Sequence, residues 1–512
     1  MSKKIIFIAF VVSLGGFLFG FDAGIISGVM SYVGPEFMLN ELQSGWVVSS
    51  PSFAAMISML IAGKLSDVIG RKKILIIVAI LYAVSAYLSA IANSYEMLYI
   101  ARMIGGLAFG AALILAPAYI AEISSAENRG KLVSLQQLNI VFGFFAAFLS
   151  NYYFNKVNTQ QDSFLSDENV WRWMLGVELI PAVLYFIFLF FVPRSPRWLY
   201  NKNFTEEAKR ILNKIYGKEV AHKELVAMEN ADHSNDKKTS IKELFSPALR
   251  YIVLIGLTVG ILQQITGINA VYFYATSIFK QTGIGTDASF SSGVLLSFTT
   301  VIFTFLAIFL IDKMGRRPLL VFGMAGIAIS LLACAYGFHE ATYKLTDENI
   351  EQVSLKGVNA EDFRPVLNKT YDNDLAFKSA MKETLGEGNY AKNEGAILEA
   401  ATDINASLVF FGILGFIACF AFSLGPVMWV LLSELFPIRI RGLAIGAIGF
   451  VNSFTSWLIQ QIFPWELSTL GNALTFFLFG GIAVIGFIVM YKTLPETKGK
   501  TLEELELEMI IK

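Results

Sequence analysis

Residues 261–274, Ile-Leu-Gln-Gln-Ile-Thr-Gly-Ile-Asn-Ala-Val-Tyr-Phe-Tyr, place three amide side chains inside an apolar run that extends from Ile252 to Phe279. At about 1.5 Å per residue such a run is long enough to cross a bilayer. Gln263, Gln264 and Asn269 are costly in hydrocarbon unless they face protein or water. On a continuous helix Gln264 and Asn269 point roughly 140° apart. Unwinding at Thr266-Gly267 would turn them toward one point, as the broken helices of many transporters do near the bilayer midplane. The competing reading is hydrogen bonding between helices, common for Gln and Asn in membranes. One polar residue would favour that structural role; a cluster beside a glycine favours a ligand site.

Charge is the second chemical resource. Asp22 lies eight residues below Met30 in the first apolar run, about 12 Å from its outer end. Arg102 follows Glu96 by six residues, about 9 Å deep from the same side. Glu178 lies seven residues below Trp171, about 10 Å. Three ionisable groups at one depth on three helices suggest a buried cluster. It either locks helices together or couples a proton to movement, a carboxylate exchanging its proton against a fixed arginine. Depth alone leaves the two readings even. On the first run Gly16, Gly20, Gly24 and Gly28 recur every fourth residue, a stripe along which a neighbouring helix can approach closely.

The elements that carry these residues follow from composition. The 512 residues are 55% hydrophobic and 16% charged, with mean hydropathy +0.58 and net charge −1. That is a polytopic membrane protein with no signature of a nucleic-acid partner. Cys334 and Cys419 both sit in apolar runs, so no disulfide framework or zinc site is indicated. About twelve spans are expected, near 5–30, 44–63, 74–92, 97–121, 132–154, 171–192, 248–279, 289–311, 318–338, 406–433, 442–464 and 472–491. Lys and Arg concentrate in alternate connections, which places both termini in the cytoplasm. Residues 193–247 read as a cytoplasmic helical linker between two halves, 1–192 and 248–492, with 493–512 as a cytoplasmic tail. Residues 339–405 form an extracytoplasmic insertion with 13 acidic and 7 basic residues.

The chain repeats itself. Asp67-x-x-Gly70-Arg71 recurs as Asp312-x-x-Gly315-Arg316, and Glu122 with Arg129 recurs as Glu434 with Arg441. The offsets, 312 − 67 = 245 and 434 − 122 = 312, differ by 67, the length of 339–405. Six helices have been duplicated and the second copy has gained an insertion. The eight repeated charges lie near inner helix ends, where ion pairs can hold one conformation closed and break in another.

These residues carry a resemblance. Gly15-Gly-Phe-Leu-Phe-Gly-Phe-Asp22, Arg102-x-x-Gly-Gly, Tyr119-Ile-Ala-Glu122, Arg129-Gly-Lys, Pro193-x-Ser-Pro-Arg197, Gln263-Gln264-x-x-Gly-Ile-Asn269, Gly425-Pro-x-x-Trp429, Ser433-Glu434-x-Phe-Pro437 and Pro495-Glu-Thr-Lys-Gly499 together resemble the sugar porters of the major facilitator superfamily. The likeness covers nearly all of the chain except 339–405, and is greatest to the bacterial xylose–proton symporter branch. It implies an all-α membrane protein of twelve helices in two pseudo-symmetric six-helix bundles with the sugar site between them. It implies sugar hydroxyls bound by Gln137, Gln263, Gln264 and Asn269, Trp429 stacked on the ring, and Phe19, Tyr272, Tyr274 and Asn452 completing the pocket. It also implies that Asp22 is the proton site, paired with Arg102, with Glu178 next in line.

Four positions depart from the family's pattern: Phe144 stands for a glutamine, Phe273 for a tyrosine, Ser453 for a tryptophan and Arg194 for a glutamate. They leave the sugar class intact and the particular sugar open. The expectation is a proton-coupled monosaccharide importer working by alternating access, a monomer in a bacterial inner membrane. Its partners are the sugar, the proton and the lipid bilayer, without cofactor, metal or nucleic acid. A passive uniporter is the alternative, and Asp22 with Arg102 argues against it. A non-transporting sensor is a further alternative. No nucleophile–base pair or nucleotide loop points to an enzyme.

Overall fold

The computed structural model describes residues 3–124, 128–160, 163–232, 241–247, 249–351 and 355–498; the side chains of Arg129 and Asp312, two of the expected gating charges, lie outside what it describes. Among the described residues eleven helical runs are long and apolar enough to cross a membrane. The last, Ile440–Thr493, is 54 residues long. Gly471 interrupts it at φ 77°, outside helical geometry, so it makes two crossings and the expected twelve are present.

The first four crossings are α1 (Lys3–Glu36), α2 (Glu41–Ile69), α3 (Arg71–Ala90) and α4 (Tyr95–Ile123), followed by α5 (Arg129–Asn158). The sixth is divided into α6 (Val170–Gly176) and α7 (Leu179–Leu189). The division has a local cause: Pro181 has no N–H to return to Val177, and Ile180 N bonds the Val177 carbonyl instead at 3.1 Å. Three linker helices, α8 (Pro196–Asn201), α9 (Thr205–Tyr216) and α10 (Lys218–Asp232), precede the second half. On α9 the expected amphipathic pattern buries Ala208, Leu212 and Ile215.

The seventh crossing is broken twice, into α11 (Arg250–Ile265), α12 (Ile268–Phe273) and α13 (Ala275–Lys280); α14 (Thr286–Met314) and α15 (Arg316–His339) follow. The insertion then folds as a small α/β unit. Strands β1 (Thr342–Lys344), β2 (Thr370–Tyr371) and β3 (Thr402–Asp403) form an antiparallel sheet in the order β2-β1-β3. It is covered by α16 (Asp347–Glu351), α17 (Asp374–Leu385) and α18 (Glu387–Ala401). Tyr343, Phe363, Phe377, Met381 and Leu398 make its core. The chain ends its spans with α19 (Ala406–Phe422), α20 (Leu424–Leu435) and α21 (Ile438–Thr493).

The chain divides into two compact units: Met1–Ala23, Ser50–Ala147 and Arg172–Ser240 form one, and Gly24–Ser49, Phe148–Trp171 and Ile241–Lys512 the other. In the first unit the glycine stripe does what its spacing requires. A Cβ on Gly20 would lie 2.0 Å from the Ile140 carbonyl, and one on Gly143 2.1 Å from that of Phe17, so α1 and α5 meet backbone to backbone. In the second unit the parts of α1, α2 and α5 that fall within Gly24–Ser49 and Phe148–Trp171 pack on the C-terminal helices. Ser49 Oγ donates to Gln461 Oε1 at 2.7 Å, and Asn155 Nδ2 to Asp287 Oδ1 at 2.6 Å.

Candidate functional site

Thr266 ends α11, and Gly267 takes φ 87° before α12 begins. A side chain there would be strained by the left-handed backbone and would meet the Phe479 ring at 2.8 Å. The break falls at the expected step, and it brings the amides together. Asn269 Nδ2 donates to Gln264 Oε1 at 2.8 Å. Gln264 Nε2 donates to Gln263 Oε1 at 3.2 Å and to Asn452 Oδ1 at 3.3 Å. Asn452 Nδ2 returns to Gln263 Oε1 at 2.8 Å and to the Gly260 carbonyl at 2.7 Å. Gln263 Nε2 reaches the Leu424 carbonyl at 2.9 Å, at the start of α20.

The network therefore ties α11 and α12 to α20 and α21, as the structural reading required. It also leaves capacity for a ligand. Asn269 Nδ2 donates at 2.6 Å to Ser456 Oγ, which also accepts from Gln460 Nε2 at 2.8 Å. A hydroxyl that accepts twice keeps its proton to give. Among the described residues that proton and Asn269 Oδ1 have no protein acceptor or donor. Ser456 was missed in the sequence; its position one turn after Asn452 on α21 was the available signal.

The expected aromatic residues divide by environment. Trp429 is 42% exposed, its ring tip 3.6 Å from the Cβ position of Gly449, one turn before Asn452. Phe19, half-buried, packs at 4.8 Å on Phe109 and at 6.4 Å, edge-on, against Phe144, so the Phe144 departure builds an aromatic wall. Tyr272 and Tyr274 are 5% exposed and their hydroxyls are committed, to Thr300 Oγ1 at 2.5 Å and the Gln460 carbonyl at 3.2 Å. Phe273 beside them is equally buried. Gln137 is half-buried on α5 of the first unit, and its neighbour Gln136 has a buried Oε1 with no partner among the described residues.

In the first unit Arg102 Nη1 donates to Asp22 Oδ1 at 3.2 Å. Glu178, 4% exposed, lies within electrostatic reach of both. It stands at the α6–α7 division, where its N–H bonds the Leu175 carbonyl at 3.3 Å and its carbonyl accepts from Ala182 N at 3.1 Å. Two tyrosines unforeseen in the sequence lie by the cluster: Tyr82, whose hydroxyl donates to the Gly15 carbonyl at 3.0 Å, and Tyr185, whose buried hydroxyl has no hydrogen-bond partner among the described residues.

The duplicated charges build the same motif in each unit. Arg71 Nε and Nη2 meet Glu122 Oε1 at 3.0 and 2.9 Å, and Nη1 meets Asp67 at 2.6 Å and the Ser66 carbonyl at 3.1 Å. Ser195 Oγ donates to the other Glu122 oxygen. Arg316 meets Glu434 at 3.0 and 2.7 Å and the Ile311 carbonyl at 3.1 Å, and Thr497 Oγ1 donates to Glu434 at 2.6 Å. Ser195 and Thr497 were missed as members. Arg441 does not join Glu434 as expected; its Nε donates to the Phe436 carbonyl at 3.1 Å. The Arg194 departure also has a visible consequence. Glu496 accepts from the backbone N–H groups of Arg316 and Arg317 at 3.1 and 3.2 Å, whereas Arg194 turns to Glu207 at 3.5 Å.

A broken seventh helix carrying clustered amides, a buried acid–arginine pair and twice-built charge motifs define a membrane carrier. The family "Sugar (and other) transporter" matches residues 8–356 and 391–508, and the chain belongs to that family. It is 33% identical over 502 residues to the arabinose-proton symporter of Bacillus subtilis, covering 98% of this chain and 94% of that one. It is 31% identical over 539 residues to the D-xylose-proton symporter of Escherichia coli, covering 99% and 96%. Its fold is similar to the partially occluded inward-open conformation of the E. coli xylose transporter XylE, with a TM-score of 0.75 at 28% identity, covering 98% of this chain and 100% of that one. The chain is thus an integral membrane protein of a transporter family rather than an enzyme.

Proposed function

We propose that this protein imports a monosaccharide together with a proton by alternating access. The observation that carries the proton is the Asp22–Arg102 pair, 3.2 Å apart and buried on α1 and α4. Burial opposes the charge on Asp22 and the guanidinium supports it, so small changes of geometry decide whether the proton is held. The sugar reading rests on the amides at the α11–α12 break, with Asn269 Oδ1 and the Ser456 hydroxyl open to a polyhydroxylated ligand. Relatives named for arabinose and xylose, each a proton symporter, support both parts. Asp22 takes the proton from the outside, the loaded carrier turns inward with sugar, and loss of the proton inside lets the empty carrier reset. We place both termini in the cytoplasm. The test is purified protein in liposomes under an imposed pH gradient, with a panel of pentoses and hexoses. Uphill accumulation of one sugar that collapses with the gradient is expected; transport that only equilibrates would establish a uniporter.

A further inference from the structure

The second break in the seventh crossing sits at Tyr274, whose φ of −114° and ψ of 14° separate α12 from α13. In an unbroken helix the N–H of Thr276 returns to the carbonyl four residues back. Here it donates to Ser27 Oγ on α1 at 3.0 Å, and the two hydroxyls, Ser27 Oγ and Thr276 Oγ1, are also 3.0 Å apart. Both residues are 1% exposed. A backbone N–H buried without a partner is strongly disfavoured, so the bent form of this crossing depends on a side chain from a different helix. We propose that Ser27 is a positioning residue of the carrier: by holding the Thr276 amide it keeps the seventh crossing in its bent, outer-closed form, and its withdrawal releases that form.

The surroundings make Ser27 a point of leverage. Next to it a Cβ on Gly28 would lie 2.5 Å from Asn151 and 2.8 Å from the Phe290 ring, so α1 is pressed against α5 and α14 at this level. Asn151 Nδ2 donates to the Ile25 carbonyl at 3.0 Å, and the Tyr32 hydroxyl to Asn155 at 2.6 Å. These contacts all lie on the outer part of α1 and let go together when it moves. Asp22 lies five residues earlier on the same helix, and Asn269 seven residues before Thr276 on the same crossing. Ser27 therefore joins the helix that carries the acid to the crossing that carries the amides. That link to transport rests on the reading above; the hold on Thr276 does not.

The experiment is amide hydrogen exchange on the full chain in lipid nanodiscs, without sugar or pH gradient. Ser27→Ala is expected to speed exchange about fivefold in peptides spanning 272–280, the population shift that one lost buried hydrogen bond yields. Peptides from the insertion core (377–398) and from α3 should stay at the native rate. Ser27→Thr, which keeps the hydroxyl, should restore protection, and Ser31→Ala, one turn outward, should leave it unchanged. In uptake the same Ser27→Ala variant should show a lower KM from the outside together with a lower kcat, since the outward form becomes more populated. Unchanged exchange at 272–280, or a rise shared by the insertion core, would overturn the proposal. Exchange as expected in a protein that carries no sugar would uphold the role of Ser27 and overturn the transport reading instead.

Discussion

Arg102 Nη1 reaches Asp22 Oδ1 at 3.2 Å with the two residues 1% and 5% exposed, so a guanidinium and a carboxyl group meet within the buried interior of the first unit. Asp22→Asn keeps a hydrogen-bonding group beside the guanidinium and mimics the neutral acid. It is expected to abolish uphill accumulation in liposomes while counterflow of labelled sugar persists, because exchange does not require the proton to leave. Asp22→Ala, which removes the carboxylate that accepts from Arg102, should in addition lower the unfolding free energy by about 1–3 kcal/mol. Accumulation by the Asn variant would move the proton site to Glu178.

Gln264 donates to Gln263 and Asn452 and accepts from Asn269, so its amide is the hub of the polar cluster. Gln264→Ala is expected to weaken sugar binding by about 1–3 kcal/mol, about fivefold to more than a hundredfold, in a protein that still purifies as one species. Binding calorimetry checks this. Native affinity would assign the amides a purely structural role.

The insertion matters more for stability than for the pocket. Asp374 on α17 accepts from the backbone N–H of Asn472 at 3.2 Å and from its side chain at 3.0 Å, where the chain turns at Gly471 into the last crossing. Asp374→Ala removes that cap and should lower the unfolding free energy by about 0.5–2 kcal/mol, read from thermal melts. Sugar affinity should stay within a few-fold, in this variant and when 345–398 is replaced by a Gly/Ser linker. A large loss of affinity would make the insertion part of the site.

Glu122 and Glu434 hold equivalent arginines, and each also takes a hydroxyl, from Ser195 or Thr497. Glu122→Ala and Glu434→Ala should destabilise by similar amounts, about 1–3 kcal/mol each, in chemical denaturation. Strongly unequal losses would show that the duplicated motifs have diverged in role.

The sequence alone determined the class of fold. Apolar runs of membrane length, basic residues in alternate connections and an internal repeat are one-dimensional signals, because bilayer thickness sets the length of each element. The break at Thr266-Gly267 was legible too, since only a break lets Gln264 and Asn269 meet. Even the depths of Asp22, Arg102 and Glu178 followed from counting residues. The tertiary structure decided which atoms pair. Arg441 turns from Glu434 to a carbonyl, Tyr272 and Tyr274 spend their hydroxyls within the protein, and Ser456 and Ser27 take positions that no motif marks. The insertion's sheet and its cap on the last crossing were equally hidden. A hydrogen bond depends on angles and distances between helices far apart in the chain, and residue spacing specifies a face of a helix but not what stands opposite it.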